Sequence, residues 1–417
     1  MVAYAAMCNN VVVTGTGCVS SLGIGTRTFV DALLAGESGI ARITTFSTAG
    51  CRAQTAALIR DFDPARYIDP AKLRRIDEVG RLALSTCRLA LEDASLPAGT
   101  SNVGVALGTA TSGIHSRVPQ ARRLLTDGPA TVPALGFSNT IGNAAASLCA
   151  LEFALHGPNV TLAQKQASAL AAIAFAVSDL RQGRAAAYVS GGNDDFEEEF
   201  YRIHDRLRVL SPGNGSDEAS RPFDARRNGF VLGAGGYALV LERASSAEAR
   251  GVPPYGEILG VGATSSACAL NGWPDEPSGI VRAMRAALAD AEVAPSEVAA
   301  VFASANSTVA LDRAEAQAIA EVFGPAGVPV VSVKGALGES GASGAAALLA
   351  ALVCLGRGRL PPTVGFEQRD PECPVDVSPD GRGVQGRVAV INATADGGAH
   401  YSLVVRSLGR RPIEGKA

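Results

Sequence analysis

Residues 157–170 read Gly-Pro-Asn-Val-Thr-Leu-Ala-Gln-Lys-Gln-Ala-Ser-Ala-Leu: a short buried strand, a tight turn and the start of an apolar helix. A strand-to-helix turn of this kind is a nucleophile elbow. It holds one side chain at a helix N-terminus, where free N–H groups and the helix dipole favour negative charge. A cysteine thiolate there would have a lowered pKa and would attack an acyl thioester. The residue at that point is Gln166. Its amide has no titratable proton and is not a nucleophile. The chain frames an acyl-transfer site and withholds the attacking group.

The surrounding elements follow from periodicity. Short apolar runs predict strands at 11–15, 103–107 and 186–192 and a Gly-rich strand pair over 231–241. Helices are predicted over 26–36 and 77–92. The Gly-Thr-Ala-Thr-Ser-Gly run at 108–113 has no Lys at P-loop spacing, so it reads as a strand-to-helix turn and not a phosphate loop. A polar break at 244–254 ends in Gly-Val-Pro-Pro. Beyond it, strands at 257–261, 298–304, 330–333, 388–392 and 401–405 alternate with helices at 279–291, 312–323 and 344–355. Such alternation predicts an α/β fold of two similar βαβ-rich halves, residues 1–250 and 251–417.

A chain of 417 residues, 47% hydrophobic and 18% charged, buries a large core and is not disordered. A net charge of −3 without a basic block argues against nucleic acid or an anionic membrane as partner. No apolar run reaches the roughly 18–20 residues of a membrane span, and the first ten residues lack the pattern of a signal peptide. The eight cysteines are scattered with no CxxC pair, which predicts reduced thiols in a cytoplasmic protein. No cofactor and no metal is expected. Glu197-Glu198-Glu199 reads as a solvated acidic face, and Arg122-Arg123 and Arg226-Arg227 as surface pairs.

Several stretches in order carry a resemblance. They are 13–17 (Val-Thr-Gly-Thr-Gly), 157–159 (Gly-Pro-Asn), 220–224 (Ser-Arg-Pro-Phe-Asp) and 229–233 (Gly-Phe-Val-Leu-Gly). There follow 312–318 (Asp-Arg-Ala-Glu-Ala-Gln-Ala), Val333-Lys334, and Asn392 with Gly397-Gly398. Together they resemble the β-ketoacyl synthase family, which has the thiolase fold with layers α/β/α/β/α. Active members of that family share a Cys-His-His set: the Cys takes the acyl chain, and the two His stabilise the oxyanion as a malonyl thioester decarboxylates and condenses. Carried over by position, the Cys slot holds Gln166. The first His slot, eight residues before Asp312, holds Ser304. The second, five residues after Lys334, holds Glu339. The four histidines, His115, His156, His204 and His400, lie in neither segment. Lys334, Glu315 and Asp312 do match the family pattern, and the resemblance reads them as retained support, a leftover buried ion pair with a packing role.

Within the family, loss of all three groups resembles the chain-length factor, the β subunit of a type II polyketide synthase. The resemblance implies a catalytically inactive subunit paired as a heterodimer with a catalytic ketosynthase, served by an acyl carrier protein with its phosphopantetheine-bound chain. It also implies that the segment before the elbow lines a tunnel reaching the partner, with Leu135, Phe137, Thr140 and Ile141 as wall residues. Phe137 and Ile141 at i, i+4 would share one face of a helix. Two other readings stay open: a malonyl-carrier decarboxylase that uses Gln166, and a purely structural partner.

Overall fold

A computed structural model describes residues 10–213 and 218–410. Cys8 and most of the N-terminal decapeptide lie outside the described residues. In chain order the main-sheet strands are β1 (Val11–Ser20), β2 (Val103–Gly108), β3 (Asn159–Leu162), β4 (Ala187–Asp194), β5 (Gly235–Arg243), β6 (Gly256–Ser265), β7 (Ala300–Phe302), β8 (Pro329–Val331), β9 (Asp376–Val377), β10 (Val388–Thr394) and β11 (Ala399–Ser407). The longer helices are α1 (Thr26–Leu34), α2 (Glu78–Asp93), α3 (Ile114–Asp127), α4 (Ala144–Glu152), α5 (Ser168–Arg181), α6 (Glu198–Arg206), α7 (Ser278–Asp290), α8 (Val309–Phe323) and α9 (Ser343–Gly356).

The strand order is β9-β8-β7-β10-β11-β6-β1-β5-β4-β2-β3. Each half of this path repeats one pattern. In the first, β3, β2 and β4 are parallel, and β5 and β1 continue antiparallel. In the second, β8, β7 and β10 are parallel, and β11 and β6 continue antiparallel. The halves join where Val11, Val12 and Val13 pair with Ile258, Glu257 and Gly256. The predicted two similar halves are therefore present as two sheet wings. Parallel strands need cover on both faces, which explains the unbroken apolar runs of β2 and β7.

Helices α5 and α9 pack between the wings, α2 and α4 cover one outer face, and α7 and α8 cover the other. Nearly every residue of α5 is buried, and α9 is buried from Ser343 to Leu355. A helix apolar on all sides can sit only in such a central layer. Each fully buried Leu of α9 contributes roughly 1.5–3 kcal/mol. No helix among the described residues is long and apolar enough to cross a membrane.

Several expectations need correction. Strand β3 lies at the sheet edge and is partly exposed, because no strand among the described residues pairs with its outer side. Arg227 is buried against Asp370, while Arg226 bridges Asp224 and Glu367, so this pair anchors a loop. Glu197 is also buried; it accepts from His115 at 2.7 Å and is no solvated face.

The elbow rests on close backbone contact. A Cβ on Gly108, the last residue of β2, would stand 2.2 Å from the carbonyl carbon of Ser168 at the start of α5. Gly108→Ala therefore forces the helix off the sheet, and such overpacking costs about 1–3 kcal/mol. A denaturant midpoint unchanged from the parent would show that the elbow tolerates this displacement.

Candidate functional site

Strand β3 ends at Leu162, and a 3₁₀ turn, Lys165–Ala167, leads into α5. Within it Lys165, not Gln166, takes the left-handed backbone conformation, φ 48°. Ser168 holds the turn: its Oγ accepts from the Gln164 N–H at 2.9 Å and donates to the Lys165 carbonyl at 2.7 Å. Asp194, at the end of β4, ties the neighbouring loops to this point. It accepts from the hydroxyl of Thr109 at 2.8 Å and the backbone N–H groups of Ala110 at 2.7 Å, Thr111 at 3.0 Å and Gly341 at 2.6 Å. Burial pushes its carboxyl up, and these donors push it back.

The Gln166 side chain is buried and committed on both ends. Its Nε2 donates to Asp396 Oδ2 at 3.1 Å, and its Oε1 accepts from the Asp396 N–H at 3.2 Å. Lys165 Nζ also bonds Asp396, and reaches Asn271 Oδ1 at 2.8 Å. Asp396 thus clamps the loop before Gly397-Gly398 onto the elbow. Sequence reading missed Lys165, Asp194 and Asp396. For Asp396 the one available signal was its place directly before the quoted Gly-Gly pair.

The two other vacated slots lie in one buried network. Lys334 Nζ contacts Glu339 Oε2 at 2.8 Å and donates to the Ser304 carbonyl at 2.8 Å. Asn306 Nδ2 donates to the same Glu339 oxygen at 2.7 Å. Lys334 is 3% exposed and Glu339 2%. Glu315 accepts from the Ser304 N–H at 2.9 Å and from Asn392 Nδ2 at 3.1 Å. Asp312 accepts from the N–H groups of Phe223, Asn306 and Ser307 at 2.8, 2.9 and 3.1 Å. Burial raises all three carboxyls, that of Asp312 to about 7. Lys334 forms its ion pair with Glu339, so the second His slot itself holds the counter-charge.

A cavity of about 370 Å³ opens beside the elbow. One wall is apolar: Phe196, Phe200, Ile203, Leu207 and Phe230. The other presents Gln166, Lys165 and four carboxyls, those of Asp194, Asp195, Glu339 and Asp396. Burial raises Asp195 to about 7. Glu339 Oε1 has no hydrogen-bond partner among the described residues. Stabilising an oxyanion requires donors aimed at it, and the Lys165 and Gln166 donors of this wall are turned to Asp396. Ser304 lies deeper, with its Oγ accepting from the Thr394 N–H at 2.9 Å.

The tunnel segment is elsewhere. Residues Ala134–Thr140 form a 3₁₀ helix in place of the α-helical face pictured for Phe137 and Ile141. Phe137 is 63% exposed and Ile141 48%. Thr140 Oγ1 donates to the Phe137 carbonyl at 2.7 Å. None of the three lines the cavity. The side chain of Leu135 lies outside the described residues.

Comparison with known proteins matches residues 9–247 to the beta-ketoacyl synthase N-terminal domain and residues 255–367 to the beta-ketoacyl synthase C-terminal domain. The chain is 34% identical over 406 residues to the tetracenomycin polyketide synthase ketoacyl synthase beta subunit of Streptomyces glaucescens, covering 96% of this chain and 98% of that protein. It is 33% identical over 404 residues to 3-oxoacyl-[acyl-carrier-protein] synthase 2 of Coxiella burnetii, covering 95% and 98%. Among solved structures it resembles the ishigamide ketosynthase/chain length factor, with TM-score 0.88 and 30% identity over 96% of this chain and 99% of that one. A beta-ketoacyl synthase from Burkholderia phymatum superposes with TM-score 0.89 at 29% identity, over 96% and 99%.

Removing one partner of a buried ion pair strands the other charge. Lys334→Met is expected to cost about 3–5 kcal/mol, and Lys334→Met with Glu339→Leu to recover at least half of it. Guanidinium unfolding of the parent, single and double variants measures both. A double variant no more stable than the single would refute the coupling.

Proposed function

The chain belongs to the β-ketoacyl synthase family, and from that membership we propose that it is a chain-length factor: a non-nucleophilic subunit that pairs with a catalytic ketosynthase. The carrying observation is the chemistry of the three slots. Gln166 is locked to Asp396, Ser304 is sealed beneath Thr394, and Glu339 balances Lys334. A thioester brought to this elbow meets no nucleophile at position 166 and neither of the family's histidines, so condensation on a carrier-bound chain falls to the partner.

The surface supports pairing. Helix α3 buries no residue of its own, and Leu125 is 85% exposed. Leu124, Phe137, Ile141 and Leu151 are exposed as well, and the free edge of β3 is available beside them. Large apolar side chains gathered at an open sheet edge mark a partner surface. On this reading Phe137 and Ile141 act across the interface, limiting the depth of the partner's tunnel. The decarboxylase reading is disfavoured by the site: a malonyl carboxylate would enter a cavity already holding four carboxyls. The relation to a Streptomyces polyketide synthase beta subunit and to a ketosynthase/chain length factor structure also supports the pairing.

Two outcomes are expected. Co-expression with a catalytic ketosynthase encoded beside it should yield a one-to-one heterodimer by native mass spectrometry. A stable homodimer that ignores the ketosynthase would sink the proposal. In the reconstituted pair with carrier protein, Phe137→Ala should lengthen the product by at least one extension unit. Products of parental length would remove Phe137 from the tunnel.

A further inference from the structure

A second group of chemically capable side chains lies outside the vacated slots. His115 is in the first turn of α3, Asp195 directly follows β4, and Glu197 is the N-cap of α6. One ligand atom from each lies within 4.8 Å of the others. We propose that His115, Asp195 and Glu197 bind one divalent first-row metal ion, of which Mn²⁺ fits the donor set best.

The cluster is short of lysine and arginine partners. None of the described lysines or arginines forms an ion pair with Asp195 or Glu197, and Glu197 has only His115. A third carboxyl stands behind them. Asp77 is 6% exposed, interacts electrostatically with both His115 and Glu197, and its Oδ2 has no hydrogen-bond partner among the described residues. Three helix N-termini, of α2, α3 and α6, meet here and oppose a cation by about half a charge each. Glu197 pushes the His115 imidazole up to about 9, so a proton supplies the positive charge there, and a divalent ion would take that proton's place.

The geometry needs little adjustment. Bonds of about 2.0–2.2 Å to such an ion set neighbouring ligand atoms roughly 3–4 Å apart. His115 is half-exposed with its Nδ1 already 2.7 Å from Glu197 Oε1, and water would complete the shell. One imidazole with two carboxylates suits a hard to borderline ion better than a thiophilic one. Bound there, the ion ties the first turn of α3 to the start of α6. It would brace from behind the partner-facing helix, which packs so little within its own chain.

The test uses the full chain freed of metal by chelation. Mn²⁺ is titrated while the electron paramagnetic resonance signal of the free ion is followed. One equivalent should bind to the parent, at least tenfold more weakly to His115→Ala and to the near-isosteric Glu197→Gln, and unchanged to the control His156→Ala. Mn²⁺ should raise the melting temperature of the parent and not of the first two variants, whose melting without metal shows that they are folded. Equal binding by parent and His115→Ala, or loss of binding in His156→Ala instead, would overturn the proposal.

Discussion

A lysine ammonium taken out of water must find a counter-charge, and much of this site follows from how Lys334 finds one. Its partner is Glu339, five residues on, across the single turn Lys334–Leu337. With Lys334 facing Glu339 and the Ser304 carbonyl, its ammonium is not left free for an oxyanion. Asn306 and Asn392 extend the same logic by donating to Glu339 and Glu315. An unpaired buried charge costs several kcal/mol, so neither partner changes alone without loss. The constraint is one of stability.

The elbow shows the same separation between shape and reactivity. The approach of Gly108 to Ser168, the hydroxyl of Ser168 and the carboxyl of Asp194 all serve to place an α-helix on strand ends. None of them depends on which side chain sits at position 166. A Gln there is accommodated by turning its amide to Asp396, which satisfies both of its polar ends. The fold keeps its elbow because the central helix layer needs it, whether or not the elbow bears a nucleophile.

Much of this was legible in the sequence. The alternation of strands and helices and the elbow at Gln166 come from local periodicity, and the slots at Ser304 and Glu339 are what the family resemblance implies. What escaped was long-range. Asp396 lies 230 residues from Gln166, and nothing near either announces the contact. Arg226-Arg227 and the Glu197 run looked exposed because charged residues usually are. Arg227 is buried by Asp370 on a distant loop, and Glu197 by a β4–α6 connection packed against α3. Phe137 stands the other way: an apolar residue expected in a tunnel wall is 63% exposed in this chain.

That last point bears on how the molecule is to be understood. Burial within one chain accounts for α5 and α9 completely and for α3 not at all. A helix of 14 residues with no buried side chain is poorly stabilised by propensity alone, because isolated helices of that length are marginal in water. It also carries Pro119 in its interior, which removes a backbone hydrogen bond. Polar bonds of His115, Arg117 and Arg122 hold α3 within this chain, and further free energy could come from outside it. A second subunit laid against the β3 edge would supply it from one side, and an ion bridging His115 to the start of α6 would supply it from the other. The two sources are separable, because only the first depends on apolar burial and only the second on the three ligands.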